Sequence, residues 1–458
     1  MPDMNPDLVG NPKPPRGDGA SLPMRRRPGI AAMTRPAFVL SSFTATTFLS
    51  ALLLFSVQPM FAKTVLHVLG GSPSVWAVAI FFFQAALLVG YCYAHVLIAH
   101  ASVSQTGLIH LGVCALAMLA LPIGLPSGWG EPPTGEPYLW QIGLFTAALG
   151  LPFVALSANA PLLQAWFART GHPHGHDPYF LYAASNLGSL IALLAYPFVL
   201  EPAFGLRELS RLWTLGFLLL VAALGAVFTV LRACQSERAG DQFAAPGAQV
   251  ARADSQTASA PRAADRVGWV GLALVPAALL TAFTTHVTTD VASAPLLWVL
   301  PLSLYLLTFV LVFRDRPIIP PTAVLYLHLA AVAFALLALS QTKHETWFLT
   351  ALAGVAVFFT SAMVAHRTLY EARPAARHLT EFYLWMSFGG ALGGLSAALI
   401  APKIFSEVFE YPLLLALSMA CRPGVFSVAA LRRVAGSLLA VVARVMPVPE
   451  GWRAEQMT

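Results

Sequence analysis

The amino-acid sequence predicts an all-α protein, a polytopic transmembrane helical bundle of about 12 spans in two six-helix halves. Three observations carry that prediction. The 458 residues are 57% hydrophobic and only 10% charged, whereas soluble domains are about one quarter charged. Mean hydropathy is +0.69, and apolar runs of about 18 residues or more recur along the chain. Basic residues gather in alternate connections between those runs. The net charge of +6 would suit nucleic acid only if clustered on a soluble face. It is dispersed, so no nucleic-acid partner is expected. Cys92, Cys114, Cys234 and Cys421 lie far apart, with neither a disulfide frame nor metal-ligand spacing.

The elements follow in order. Residues 1–35 are rich in Pro, Gly and Arg and are expected to be a disordered cytoplasmic N-terminus. The apolar run behind them is too long for a signal-peptide core and shows no clear cleavage site. The first span is therefore expected to be retained, with Met24 and Met33 as alternative starts. The first six-helix half covers 36–232, with spans near 37–58, 74–98, 106–125, 138–166, 178–200 and 209–231. A polar Ala/Arg/Ser/Gln stretch at 233–266 reads as a cytoplasmic linker. The second half covers 267–421, with spans near 267–285, 294–313, 320–340, 346–366 and 379–401, and a short one at 407–421. Residues 422–458 read as an interfacial or cytoplasmic tail, because Arg432, Arg433 and Arg444 break its apolar run.

Charge sets the orientation. With the N-terminus inside, Lys63, Arg207, Arg211, Lys343 and Lys403 are the outside members of the 27 Lys and Arg, and all the others fall inside. The expectation is a multi-pass protein of the cell inner (plasma) membrane with both termini cytoplasmic and the lipid bilayer as its partner. "LYAASNLGSLIALLAYP" (181–197) and "LWMSFGGALGGLSAALI" (384–400) echo each other six spans apart. Parallel halves of six spans are the major-facilitator plan.

Several motifs bear on chemistry. "GGALGG" (389–394) lies mid-helix with no strand before it. Gly389/Gly393 and Gly390/Gly394 read as overlaid small-residue pairs for close helix packing, as do Ala184 and Gly188 in the fifth span. "GHPHGHDP" (171–178) alternates His172, His174 and His176. In an extended loop these could hold a transition metal, or the stretch is a polar turn punctuated by Pro and Gly. In "VQPMFAKTVLHVLGGSPSVW" (57–76), Pro59 is expected to kink or end the first span. Lys63 and His67 share a face, Gly70 to Pro73 turn the chain, and Ser74 is a candidate cap for the second span. Lys63 and Asp290 lie 25 and 23 residues beyond the inner edges of spans 1 and 7, roughly 37 and 35 Å at helical rise. Both end just past a hydrocarbon core of about 30 Å. They are either two separate interfacial charges or one polar site with Gln58, His286 one turn deeper, Glu201 and Lys403. Asn159, Gln164 and Asn186 are further substrate-binding candidates inside the spans.

Four blocks, "LLLFSVQPMFAKTVLHVLGGSPSVWAVAIFFFQAALLVGYCYAH" (52–95), "SANAPLLQAWFARTGHPHGHDPYFLYAASNLGSLIALLAYPFVLEP" (157–202), "TTDVASAPLLWVLPLSLYLLTFVLVF" (288–313) and "FYLWMSFGGALGGLSAALIAPKIF" (382–405), resemble the membrane half of bacterial fused major-facilitator/spermidine-synthase-like proteins. They stand in that family's order, across residues 38–423. The resemblance implies a polyamine link and, in that family, a soluble aminopropyltransferase-like domain after the spans. Here 35 residues follow "EYPLLLALSMACRP" (410–423), with no strand–helix alternation or glycine-rich loop. A membrane domain without the synthase domain is therefore expected. "HVLIAHASVSQ" (95–105) also lacks the basic residues of a typical major-facilitator loop between spans 2 and 3.

Two functions follow as expectations. One is small-molecule transport or sensing at a polar site between the halves. The other is a membrane scaffold or regulator for a separate, soluble spermidine-synthase-like partner. With no nucleophile, acid–base pair or cofactor loop in view, an enzyme is not expected, nor is a cofactor. A reporter enzyme fused after Thr458 should be active on the cytoplasmic side. Activity confined to the other side would overturn the orientation.

Overall fold

The computed structural model describes residues 32–70, 73–129, 132–133, 138–244, 260–290, 299–313, 317–339, 347–404 and 410–423. Among them twelve principal helices fall six and six. The first half holds α1 (Pro36–Leu69), α2 (Pro73–His100), α3 (Val103–Ala117), α4 (Tyr138–Phe167), α5 (Phe180–Ala203) and α6 (Leu206–Ala244). The second holds α7 (Ala263–Asp290), α8 (Val299–Val312), α9 (Pro321–Leu339), α10 (Trp347–Glu371), α11 (379–404) and α12 (Glu410–Ala420). No strand occurs among the described residues. Eight helices there are long and apolar enough to cross a membrane. The reason is that backbone groups cannot be left unpaired in lipid, and a helix satisfies them within itself.

Three boundaries differ from expectation. The first helix does not stop at Pro59 but runs ten residues further, to Leu69. A helical proline costs about 3 kcal/mol. Beyond it Met60, Phe61 and Val65 are buried, each contributing about 1.5–3 kcal/mol, and Phe61 packs edge-on against Phe145 at 5.0 Å. The helix ends instead at Gly70, whose φ of 72° suits glycine and whose N–H reaches the Leu66 carbonyl. The second helix starts on Pro73 rather than being capped by Ser74, since a proline's missing N–H costs nothing in a first turn. α6 continues through the expected linker start to Ala244. Its polar end is tethered by Arg232 to the Ser104 hydroxyl, by Glu237 to Thr34 and by Arg238 to the Arg169 carbonyl. The tail beyond residue 423 and the first 31 residues lie outside the described part.

The most extensive pairings are α1 with α5 and α7 with α11. Both rest on glycine. A Cβ at Gly188 would stand 2.5 Å from the Phe48 carbonyl oxygen, and Gly389 and Gly393 press on the carbonyls of Val270 and Leu274. Gly394 packs against Gln84 of α2, while Gly390 meets nothing. The glycine cluster is therefore a packing surface, and only one of its two overlaid pairs faces α7. α5 and α11 also share a widened π-turn, at Tyr196–Leu200 and Ser396–Ile400, after 16 and 17 residues of α-helix respectively. The faint echo between these segments is thus a structural repeat. The halves meet through α2 with α11 and α5 with α8, the same pairing related by the repeat.

Gly393→Val should lower stability by about 1–3 kcal/mol, read as thermal unfolding in detergent. Gly390→Ala should change it by less than about 0.5 kcal/mol. Equal effects would contradict the packing asymmetry.

Candidate functional site between the halves

Each of the four helices that join the halves brings a tyrosine to one layer, near the end of the bundle where the chain starts. They are Tyr91 of α2, Tyr182 of α5, Tyr305 of α8 and Tyr383 of α11. Tyr383 is the hub, with ring centroids 6.2 Å from Tyr91, 5.0 Å from Tyr182 and 5.9 Å from Tyr179. Tyr182 stands edge-on to Phe309 of α8 at 5.3 Å and beside Phe313, just past the end of α8, at 4.8 Å. Such tilted and edge-on pairs contribute about 0.5–1.5 kcal/mol each beyond burial. The Tyr383 hydroxyl donates to Gln164 Oε1 across the halves at 2.8 Å. Gln164 Nε2 is anchored on the Ala160 carbonyl, and Asn186 Nδ2 donates to the Tyr182 carbonyl at 2.7 Å. Gln164 and Asn186 are buried. Of the residues expected from sequence, these two are brought to the layer.

Polar contacts latch the same end. Asp177, in the α4–α5 connection, pairs with Arg373, in the α10–α11 connection, at 2.8 Å. The Arg373 guanidinium lies 3.8 Å from the Tyr370 ring centroid. Burial opposes its charge, but Asp177 more than offsets that, so its pKa lies above the ordinary guanidinium value. The Tyr179 hydroxyl donates to the Pro374 carbonyl at 3.0 Å, and burial, aided by Asp177, raises its pKa. His95 Nδ1 meets Thr380 Oγ1 at 3.0 Å across α2 and α11. Arg266 and Glu381, 2.6 Å apart, join the starts of α7 and α11.

The histidine-rich stretch supplies this latch through its aspartate. It is not extended: Pro173–His176 forms a 3₁₀ turn. His172 stacks on His174 with centroids 5.4 Å apart. His172 Nδ1 accepts the His174 N–H, and His176 Nδ1 lies 2.8 Å from the Pro173 carbonyl oxygen. Burial and the neighbouring His174 lower the His172 pKa. Among the described residues no group of three His, Cys, Asp or Glu is placed to hold a metal.

At the other end Lys63 Nζ pairs with Glu201 Oε1 at 2.5 Å. Lys63 thus finds its partner within the first half, across the α1–α5 pairing. Gln58 Nε2 reaches the Leu54 carbonyl at 3.4 Å, and Lys403 is exposed. The side chains of His67, His286 and Asp290 lie outside the described part, although all three residues are helical. Asn159 belongs to a different network. Its Nδ2 donates to the Ser50 hydroxyl of α1 at 2.9 Å, and its Oδ1 meets His110 Nε2 of α3 at 2.7 Å. The second half repeats this: His328 of α9 meets Ser361 of α10 and Ser418 of α12 at 3.1 and 3.2 Å. His110 and His328 are each the eighth residue of their helix and fully buried. These networks bind helices within a half.

No family model matches the chain, and no curated protein matches its sequence. Solved structures do. The proton:xylose symporter XylE of the major facilitator superfamily, bound to 6-bromo-6-deoxy-D-glucose, superposes with a TM-score of 0.53 at 12% identity, over 84% of this chain and 94% of that one. The xylose transporter XylE from E. coli in a partially occluded inward-open conformation gives 0.50 at 14% identity, over 83% and 97%. At such identity the likeness bears on fold alone. The chain is a multi-pass membrane protein, in contact with the lipid bilayer, built on the all-α major-facilitator fold.

Proposed function

We propose that this protein is a small-molecule transporter whose halves part and rejoin at the tyrosine layer. The carrying observation is the character of that contact. Oily side chains alone would seal two halves permanently. Here hydroxyl-bearing rings, hydrogen bonds of Gln164, His95 and Tyr179, and the Asp177–Arg373 ion pair stand beside apolar contacts such as Leu193 with Val299 and Leu306, and water or a ligand can take over each of the polar ones. The fold supports the reading, because such bundles bind solutes between their repeats, and this layer lies between them, toward the end where the chain starts. Gln164, Asn186 and the four tyrosine hydroxyls are the groups a solute would meet. They are neutral donors and acceptors, suited to a polar solute. The resemblance to spermidine-synthase-like fusions makes spermidine a solute to test beside neutral sugars. Should neither cross, capture of a soluble aminopropyltransferase by the intact protein would support the scaffold role instead.

The test is uptake of radiolabelled xylose and spermidine by proteoliposomes. Gln164→Leu should lower uptake about tenfold, the loss of about 1.4 kcal/mol, with protein yield unchanged. Equal uptake by this variant and the parent would contradict a role for the layer. Asp177→Asn should shift the balance toward the parted state by roughly 1 kcal/mol, about fivefold. The swap Asp177→Arg with Arg373→Asp should restore it. Spin-label distances across the two connections read both changes, and a swap no better than the single change would exclude pairing as the cause.

A further inference from the structure

Behind the tyrosine layer lies an imidazole with one nitrogen unused. His366 of α10 is fully buried. Its Nδ1 is 2.7 Å from Thr308 Oγ1 of α8. Thr308 already commits its single hydroxyl proton to the Tyr305 carbonyl at 2.6 Å. The bond to His366 therefore runs from Nδ1–H to the Thr308 oxygen. That fixes the tautomer and leaves Nε2 as a bare lone pair, which is buried and has no partner. His110 has both nitrogens engaged, Nε2 on Asn159 and Nδ1 3.4 Å from the Tyr93 hydroxyl, whereas His328, away from the layer, also has a buried nitrogen without a partner, its Nδ1. A buried acceptor left unsatisfied costs about 1–3 kcal/mol, so a lone pair held this way marks a place where a donor arrives in another state.

The surroundings say which donor. The imidazole stacks on Phe309 with centroids 3.6 Å apart, and Tyr305 stands edge-on at 4.9 Å. The other side of the contact matters more: Phe309 is the ring against which Tyr182 of the first half packs. Among the described residues, the nearby carboxylates are already engaged. Asp177 and Glu381 are paired with Arg373 and Arg266, and Glu371 with Arg367. Of the titratable groups on helices packed against α10, Tyr305 of α8 touches the ring. His328 of α9 is bound at Ser361, five residues deeper along α10. Cys421, after α12, is tied to Leu417 and receives Thr368 on its carbonyl. Arg266 at the start of α7 is held by Glu381.

We propose that His366 is the proton-binding site of this transporter, and that its protonation parts the tyrosine layer. A hydronium ion from the aqueous side gives its proton to Nε2. An N–H bond forms, water leaves, and the ring becomes an imidazolium with two donors and no acceptor. In the closed layer the new N–H has no acceptor and the charge no counter-ion, so the state in which Nε2–H reaches water gains relative to the closed one. Phe309 is the lever, since it covers the imidazole with one face and receives Tyr182 of the other half. The neutral ring thus closes the layer and the charged ring opens it. This inference rests on the reading that the halves part at this layer.

The experiment uses the full chain in lipid nanodiscs with ¹⁵N-labelled histidine, and the His366 signals are assigned by their loss in His366→Gln. At about pH 8 the ring should show protonated Nδ1 and bare Nε2, and by about pH 5 both nitrogens should be protonated. Spin labels at His174→Cys and Ala375→Cys, in a Cys92→Ala background, should move apart over the same pH interval. In His366→Gln they should not respond. A ring still neutral at about pH 5 would overturn the proposal, as would labels that part equally well in His366→Gln. Protonation with no change in spacing would overturn the coupling. If the variant fails to fold, Thr308→Val replaces it and the parent's nitrogen signals decide. Labels that part on adding solute but ignore pH would leave the transport reading standing and sink this one.

Discussion

On the proposed transport reading, the constraint on which this bundle turns is that its halves adhere without fusing. Lipid offers no hydrophobic drive to hold helices together, so association depends on close packing and on polar bonds. Within each half the protein uses both at full strength. Glycine brings α1 to α5 and α7 to α11 until a side chain could not fit between them, and buried histidines tie α3 to α4 and α9 to α10, α12. Between the halves it uses a different material. Tyrosine rings supply area without interlocking backbones, and their hydroxyls reach side chains such as Gln164 and backbone such as the Pro374 carbonyl. On the transport reading, the exchangeable polar contacts of this seam are what would let one half move against the other.

The internal repeat explains where the seam lies, and its imperfections explain the chemistry. Corresponding helices carry corresponding histidines, His110 and His328, with partners at Asn159 and Ser361. Five residues beyond each partner the halves diverge: the first has Gln164 and the second His366. Gln164 spends its acceptor across the seam on Tyr383, while His366 keeps an acceptor in reserve beside Phe309. On the proposed reading, one half thus contributes a bond made across the closed layer and the other a group whose bonding depends on protonation.

The all-α membrane bundle was legible because apolar length reports on a bilayer and does not need tertiary contacts. The glycine cluster was legible for a similar reason, since spacing alone places Gly389 and Gly393 on one helix face. Gln164 and Asn186 stood out as amides in apolar runs. The tyrosines did not, because Tyr91, Tyr182, Tyr305 and Tyr383 share no spacing and a tyrosine in a membrane helix equally suits an interface or a core. Their signal is that each seam helix brings one tyrosine to the same level, which becomes visible only when the helices are paired. Pro59 misled because propensity acts locally, whereas the burial of Phe61 and Val65 that overrides it is tertiary. Asp177 was hidden among histidines that drew attention to metal chemistry, and Arg373 carried no motif at all.

The account stands most directly on whether the layer opens in the folded protein. Ser387 lies one turn beyond Tyr383 on α11 and is buried, and serine to cysteine changes little in size. With the four native cysteines replaced, Ser387→Cys should react slowly with a membrane-impermeant maleimide in the folded protein, from the side of the bundle where the chain starts. The rate should rise when the layer is loosened by Asp177→Asn. A cysteine that reacts only after unfolding, in both backgrounds, would show that the halves do not part there and would contradict the account.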